Sequence, residues 1–478
     1  MSSSDTSTQN VREWVNTEEY KELNFKREAL VINPPKACQP LGSIFAASGF
    51  EGCLPFVHGS QGCTAYFRNN LSRHYREPFS AVSDSMTEDA AVFGGLNNIK
   101  EGLNNAYKMY KPAMIAICTS CMAEVIGDDL SAFIKEAKYK GLIPEDMPVP
   151  FAHTPSFAGS HITGYDSMLR AILLNLTEGV EIKTEKKRKL NIIPGFDPHI
   201  ANIGEIKKIL TMLKVDHTIL ADNSEVLDSP LTGEFHMYPG GTPLQEAKNA
   251  PNNLATLALQ KYSTLNTVKM IQEKWDEHPG FLLNAPMGIR GTDKFIEEVI
   301  RLTGAEVSPE LLAERGKAVD CVTDAHQYIH GKRFAVFGDP DEVYSIVSFL
   351  MEMGGEPVHV LSGTGNKAFK KDMETLFASS PYGEGATLYA GKDLWHLRSL
   401  LMTDPVDMMI GDAHGKWAAR DAGIPLVRVG YPIFDRVNLH RYPVIGYQGV
   451  IHLTTWIVNT FLDELDRKSD DGHFELLR

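Results

Sequence analysis

The sequence predicts an α/β protein of three doubly wound domains, with mainly parallel sheets flanked by helices, preceded by an N-terminal arm. Three observations carry that expectation. Short apolar runs end in Gly, Asp or Ser: AMIAICTS from residue 113, KLNIIPG from 189, HTILAD from 217, RFAVFGDP from 333, EPVHVLSG from 356 and DMMIGD from 407. Such runs are apolar on both faces and give way to helical periodicity, the pattern of strands covered by helices on both sides of a parallel sheet. The length, 478 residues, suits about three domains that each bury their own core.

Along the chain, residues 1–30 are polar, and NTEEYKELNFKREAL reads as an exposed helix with few core positions, an arm suited to lie on a partner. A first α/β domain is expected over 31–185. The polar run EIKTEKKRK at 181–189 links it to a second over 186–330, and HGKR at 330–333 precedes the fresh strand of a third over 331–445. The last segment, 446–478, carries Val450, Leu453, Ile457, Phe461 and Leu465 at helical spacing, so its helix packs back on the body. No repeat of solenoid period is present.

Composition removes several function classes. With 47 Lys+Arg against 61 Asp+Glu the net charge is −14, which lacks the basic footprint of a nucleic-acid binder. The first residues, MSSSDTSTQN, have no basic and apolar signal pattern, and no apolar run approaches the ~20 residues that cross a bilayer. A cytoplasmic protein with no membrane partner is expected. SGTGNK at 362 and HGKW at 414 only echo phosphate loops, so nucleotide chemistry has little support within the chain.

Six cysteines are too few to staple so long a chain, and five of them precede residue 122. In AICTSCMAEVIGDD, Cys118 continues an apolar strand and reads as a core thiol. Cys121 follows the strand end, where a helix begins and its free N–H groups favour thiolate. From these residues alone, a functional and a plain thiol both remain open for Cys121. Cys38, in the Pro-bounded NPPKACQPLG, and Cys63, in the Gly-flanked VHGSQGC, have similar settings. Their separations match neither a zinc finger nor a ferredoxin run, so a shared site must be assembled by the fold. Three cysteines at separate loop–helix junctions suit an iron–sulfur cluster that also takes ligands from another chain. Cys53 and Cys321 read as structural, His153 and His161 as ordinary loop or core histidines, and Asp339 and Asp341 as strand-end turn residues.

Taken together and in order, NPPKACQPLG, PFVHGSQGCTAYFR, REP, SDSMTEDAAVFGG, CMAEVIGDDL, PVPFAHTPSFAGSH, ERGKAVD, HGKRFAVFGDPD and GKDLWHLRSL closely resemble the β-subunit family of molybdenum–iron nitrogenase. The likeness runs from about residue 28 to the C-terminus and covers the arm least. It implies the nitrogenase component 1-like fold and a place in dinitrogen reduction, in a heterotetramer of two α and two β subunits. Cys38, Cys63 and Cys121 match that family's β ligands to the P-cluster, an eight-iron, seven-sulfur group shared with the α subunit. Ser156 matches the serine that joins an iron when the cluster is oxidised; without the family it would read as a helix cap after Pro155.

The resemblance also implies that Phe93, after a helix start with Thr87 as cap, helps dock the iron protein, an ATP-dependent reductase. Tyr66 and Phe67 would lie near the cluster wall, though a core role fits them equally. Asp320 and Asp324, which alone would read as a solvated helix face, match a site for a hard cation, calcium or iron, between two β subunits. Glu77 and the carbonyl of Arg76 from the other β chain would complete it. The iron–molybdenum cofactor would belong to the α subunit only. A cofactor-assembly scaffold, or the β subunit of a vanadium or iron-only nitrogenase, is the alternative.

Overall fold

The computed structural model describes residues 3–469 apart from 31, 33, 34 and 235; the expected final stretch 470–478 lies outside the described residues. Three all-parallel sheets follow one another along the chain. The first contains β1 (Cys53–His58), β2 (Val82–Ser83), β3 (Met114–Thr119) and β4 (Phe151–Ala152), in the order β2-β1-β3-β4. The second contains β5 (Lys187–Ile193), β6 (Asp216–Ile219), β7 (Asn253–Ala258) and β8 (Gly280–Leu282), in the order β6-β5-β7-β8. The third contains β9 (Arg333–Phe337), β10 (Glu356–Ser362), β11 (Thr387–Ala390), β12 (Met408–Gly411) and β13 (Leu426–Arg428), in the order β11-β10-β9-β12-β13.

Each quoted apolar run is one of these strands, because a strand buried on both faces can be built only from such residues. The expected linker is shorter than read. Lys187–Lys189 already belong to β5, where their side chains sit at the open end of the sheet before Leu190 enters the core.

In the first sheet the chain crosses to one side of β1 to form β2 and then to the other to form β3. Ligands in open α/β sheets bind where the strand order reverses, beyond the carboxyl ends. Here that point lies between β1 and β3, whose pairing sets His58 opposite Thr119. The loops leaving the two strands therefore emerge side by side. Against this sheet the helix Gln39–Ser48 crosses the helix His161–Thr177 so closely that a Cβ on Gly42 would lie 1.7 Å from the carbonyl oxygen of His161.

The arm does not wait for a partner along its whole length. Its helix Glu18–Phe25, capped by Thr17, packs on the helix Leu394–Thr403 beside the third sheet. Polar residues anchor it: Asn24 donates to Ser399 Oγ and the Trp395 carbonyl, and Trp395 Nε1 donates to Tyr20 Oη. Apolar periodicity misses such anchors. The last helix spans Gly446–Lys468 and buries Val450, Leu453 and Ile457, whereas Leu465 is 51% exposed because the helix has by then run past the body. Among the described residues, no helix is long and apolar enough to cross a membrane.

Candidate metal centre

Three cysteines sit at three helix starts near the reversal point. Cys38 is the residue before the helix Gln39–Ser48, Cys63 lies in the first turn of the helix Gln61–Tyr75, and Cys121 opens the helix Cys121–Ile126. All three are half-buried, unlike Cys53 and Cys118 within their strands. Burial pushes the Cys63 thiol up, and the nearby sulfurs of Cys121 and Cys38 push it further, so the three side chains share one neighbourhood. Burial pushes Cys118 up to about 12, which keeps it a neutral thiol at ordinary pH. Cys321 stands elsewhere, on the long helix Pro309–Ile329, with its thiol raised chiefly by burial.

The loops around these sulfurs are held by hydrogen bonds. The Ala37 N–H donates to His161 Nδ1 at 3.0 Å, the His161 N–H donates to the Ala37 carbonyl at 2.9 Å, and His161 Nε2 meets Asp339 at 2.7 Å. His161 is thus a core histidine, as its setting predicts, but it also fixes the approach to Cys38; no sequence pattern signals that second role. Gln39 donates to the Pro155 carbonyl at 2.9 Å and to that of Ala158, which fastens the turn containing Ser156 to the residue after Cys38. Thr154 is tied to Thr119 at the exit of β3 by two bonds, at 2.8 and 2.7 Å. Ser156 therefore lies in a turn beside the cysteines. It caps no helix, since the next one begins at His161 with Ser160 and Thr163 as its capping box.

Beside this site several large apolar side chains are exposed. Phe93 ends the helix Glu88–Phe93 and is 86% exposed, with Val92, Val125 and Phe157 also out in solvent. Thr87 holds the cap position of that helix, yet its side chain makes no capping bond. Phe67 is core, whereas Tyr66 is 53% exposed.

Asp320 and Asp324 are exposed one turn apart on the helix Pro309–Ile329. Arg76 is the left-handed C-cap of the helix before it (φ +62°), and Glu77 pairs with Arg441 at 3.5 Å. Among the described residues, no group of three or more His, Cys, Asp or Glu is arranged to hold a metal ion. The three half-buried cysteines on separate helix starts instead offer sulfur donors that do not close into a complete set among the described residues. Soft sulfur donors favour iron–sulfur chemistry, and the half-buried face leaves room for ligands from another chain.

A family model described as nitrogenase component 1 type oxidoreductase matches residues 38–462. The nitrogenase molybdenum-iron protein beta chain of Nostoc sp. is 56% identical over 473 residues, covering 98% of this chain and 92% of that one. The protein of the same name from Azotobacter vinelandii is 51% identical over 468 residues, covering 96% and 89%. The solved structure of nitrogenase Cp1 at pH 6.5 matches with a TM-score of 0.91 at 39% identity, covering 95% of this chain and 98% of that one. A chain of nitrogenase Cp1 at pH 5 matches at 0.70 and 18% identity, a likeness of fold alone.

Proposed function

The chain belongs to the nitrogenase component 1 type oxidoreductases, and we propose that it holds half of a P-cluster through Cys38, Cys63 and Cys121, with Ser156 as a redox-dependent fourth donor. It is the β-type component of a nitrogenase complex and works with an α partner. The family implies metal–sulfur clusters, and the donors here fit one: three thiols of one neighbourhood, raised on separate helix starts and short of a closed set. A bound iron–sulfur cluster supplies one-electron chemistry with charge spread over many irons.

The residues of this chain bind, orient and shield. The Cys38, Cys63 and Cys121 sulfurs ligate as thiolates, so each gives up its proton on binding. The Ser156 hydroxyl offers a harder oxygen donor, and its Oγ must likewise release a proton to act as one. His161, Gln39 and Thr154 fix the loops that present these atoms. Exposed Phe93 and its apolar neighbours form the face on which the iron protein docks to deliver electrons. The iron–molybdenum cofactor, where dinitrogen becomes ammonia, resides on the α partner.

Two such pairs form a cytoplasmic heterotetramer. Asp320 and Asp324 of one β chain, with Glu77 and the Arg76 carbonyl of the other, enclose a calcium or iron ion. Exposed carboxylates one turn apart repel unless they are solvated or bridged by a cation, and a hard cation suits their oxygen donors.

The observation that carries this reading is the convergence of three cysteines from remote sequence positions at the reversal point of the first sheet. The complete set Cys38, Cys63, Cys121 and Ser156 also favours an electron-carrying subunit over an assembly scaffold. The test is the iron-to-protein ratio and redox spectrum of the purified complex with its α partner. A complex whose only iron is on the α chain would overturn the reading.

A further inference from the structure

His58, the last residue of β1, touches both ends of the machinery described above and ligates neither. Its ring is fully buried between two carboxylates: Nδ1 is hydrogen-bonded to Asp84, and Nε2 to Asp128 at 3.0 Å. Asp84 also accepts from the Gly59 N–H at 2.9 Å, four residues before Cys63. Asp128 also accepts from the Gly95 N–H, 3.1 Å from each oxygen, two residues after Phe93. The His58 carbonyl accepts from the Ser120 N–H at 3.0 Å, immediately before Cys121.

Contact is tight at both ends. A Cβ on Gly95 would lie 2.5 Å from His58 Cε1 and 2.7 Å from Asp128 Oδ2, so the turn after Phe93 lies flush against the ring. A Cβ on Gly59, at φ +154°, would lie 1.9 Å from Ser120 Oγ, so the two cysteine loops press on each other. The helix Glu88–Phe93 and the helix Cys121–Ile126 share a small buried apolar cluster, Met86, Ala90 and Ala123. Burial alone would discharge the His58 ring, but Asp84 and Asp128 outweigh it and raise its pKa, which keeps the bridge charge-assisted.

We infer that His58 is a positioning residue that couples docking at the Phe93 surface to the placement of the Cys63 and Cys121 loops, through Asp128 and Gly95 on one side and Asp84, Gly59 and Ser120 on the other. The inference rests on the docking and ligand assignments proposed above. Pressure on the turn after Phe93 moves Gly95 and Asp128 together, and the shared ring passes that displacement to the exits of β1 and β3. A contiguous buried hydrogen-bond chain is the physical element such coupling requires.

The test uses the assembled α/β complex with His58→Gln and, as the variant that best keeps side-chain shape, Asp128→Asn. Iron content, iron-protein affinity, electron transfer from saturating iron protein and reduction by a small europium(II) chelate that does not dock are measured together. Peptide-level hydrogen exchange across Gly59–Cys63 and Phe93–Leu96 is followed with and without iron protein. Iron content and chelate reduction stay at the wild-type level, while transfer from docked iron protein falls about tenfold in at least the Asp128 variant. Docking still protects Phe93–Leu96 but no longer protects Gly59–Cys63.

Wild-type docked transfer and exchange in the variants would overturn the coupling, as would an equal slowing with the chelate, which marks a purely structural role. Phe93→Ala separates this from the docking assignment. Unchanged affinity in that variant overturns the surface itself, whereas weakened affinity alongside normal transfer in the His58 and Asp128 variants overturns the coupling alone.

Discussion

The N–H of Ile433 donates to Nδ1 of His74 at 2.8 Å, and the other ring nitrogen of His74 donates to the carbonyl of Pro198 at 2.9 Å. His74 lies near the end of the helix that carries Cys63, so one imidazole ties the first sheet's helix to segments beyond β5 and β13. His199 and His440 lie alongside, with the Gly430 N–H donating to His199 Nε2. Burial lowers His74 to about 3, and His199 and His440 to about 4.

This junction predicts an acid-sensitive stability difference. A histidine whose folded pKa is depressed contributes its full stability above its unfolded value of about 6.5, and loses it as pH falls toward the folded value. His74→Gln, which cannot titrate, is less stable than wild type at pH 7 by about 1–3 kcal/mol for the lost hydrogen bonds. That gap shrinks by about 1.4 kcal/mol per pH unit once the pH passes below 6.5. Denaturant titrations of both proteins between pH 7.5 and about 5 check it; a constant gap would show that His74 is not held neutral.

Cys118 and Cys121 separate in one pair of variants. Cys118→Ala removes a fully buried thiol from β3 and costs about 1 kcal/mol with the complex's iron retained. Cys121→Ala loses P-cluster iron and electron transfer at little cost to the fold. Iron analysis and thermal melting of the α/β complex check both, and equal iron loss in the two would sink the assignment.

That the sequence distinguishes Cys118 from Cys121, yet does not single out His58, has a physical reason. Strand burial and strand ends are written locally, in runs such as AMIAICTS, where the apolar residues give way to Thr119 and Ser120. The three sheets are legible on the same ground. The ligand set rests on the likeness of whole motifs, since spacings of 25 and 58 residues are set by tertiary folding alone. The bonds of His58 to Asp84 and Asp128, and of His161 to Ala37 and Asp339, join residues 26 to 178 positions apart, and no local rule records them. The arm is largely exposed, as its polar sequence predicts, with Asn24 its one buried position in the helix Glu18–Phe25; its anchoring through the polar atoms of Asn24 and Arg27 is unrecorded locally for a related reason.

Phe93→Ala weakens iron-protein binding by about 2 kcal/mol, the effect of truncating an aromatic anchor at an interface centre, and leaves iron content unchanged. The chain's own stability moves by less than about 0.5 kcal/mol, because the ring is exposed in the isolated chain. Titration of the complex with iron protein, followed by the rate of electron transfer, measures the affinity.

Asp320→Asn with Asp324→Asn removes the cation between β chains while leaving the single chain as stable as wild type to within about 0.5 kcal/mol, since both carboxylates are exposed. Metal analysis of the tetramer after dialysis against a chelator, together with its dissociation at low protein concentration, checks this. Water at that position in a well-resolved tetramer would refute the site.

The arm supplies a contrasting prediction. Arg27 donates to both oxygens of Asp393, at 2.6 and 2.8 Å, and Asp393 also caps the helix Leu394–Thr403 through the Trp395 and His396 N–H groups. Burial pushes this carboxyl up, but the Arg27 bonds, the Ile32 N–H and His396 outweigh it and hold it well below the usual range. Removing the guanidinium leaves a buried carboxylate short of its strongest partner, so Arg27→Ala costs about 2–4 kcal/mol. Arg27→Lys recovers only part, because a single ammonium cannot span both oxygens. A carboxylate with a depressed folded pKa keeps its contribution above about 3.9 and loses it only as pH falls through the lower folded value. Asp393 therefore adds no slope to the Arg27→Ala gap between pH 7 and about 5, where the His74→Gln gap is shrinking; the slope left there comes from His396, whose pKa burial lowers and the adjacent Arg27 charge lowers further. Parallel denaturant titrations of Arg27→Ala and of Arg27→Ala with His396→Gln separate the two, and a gap that still falls in the double variant would mean that Asp393 is not held ionised by the arm.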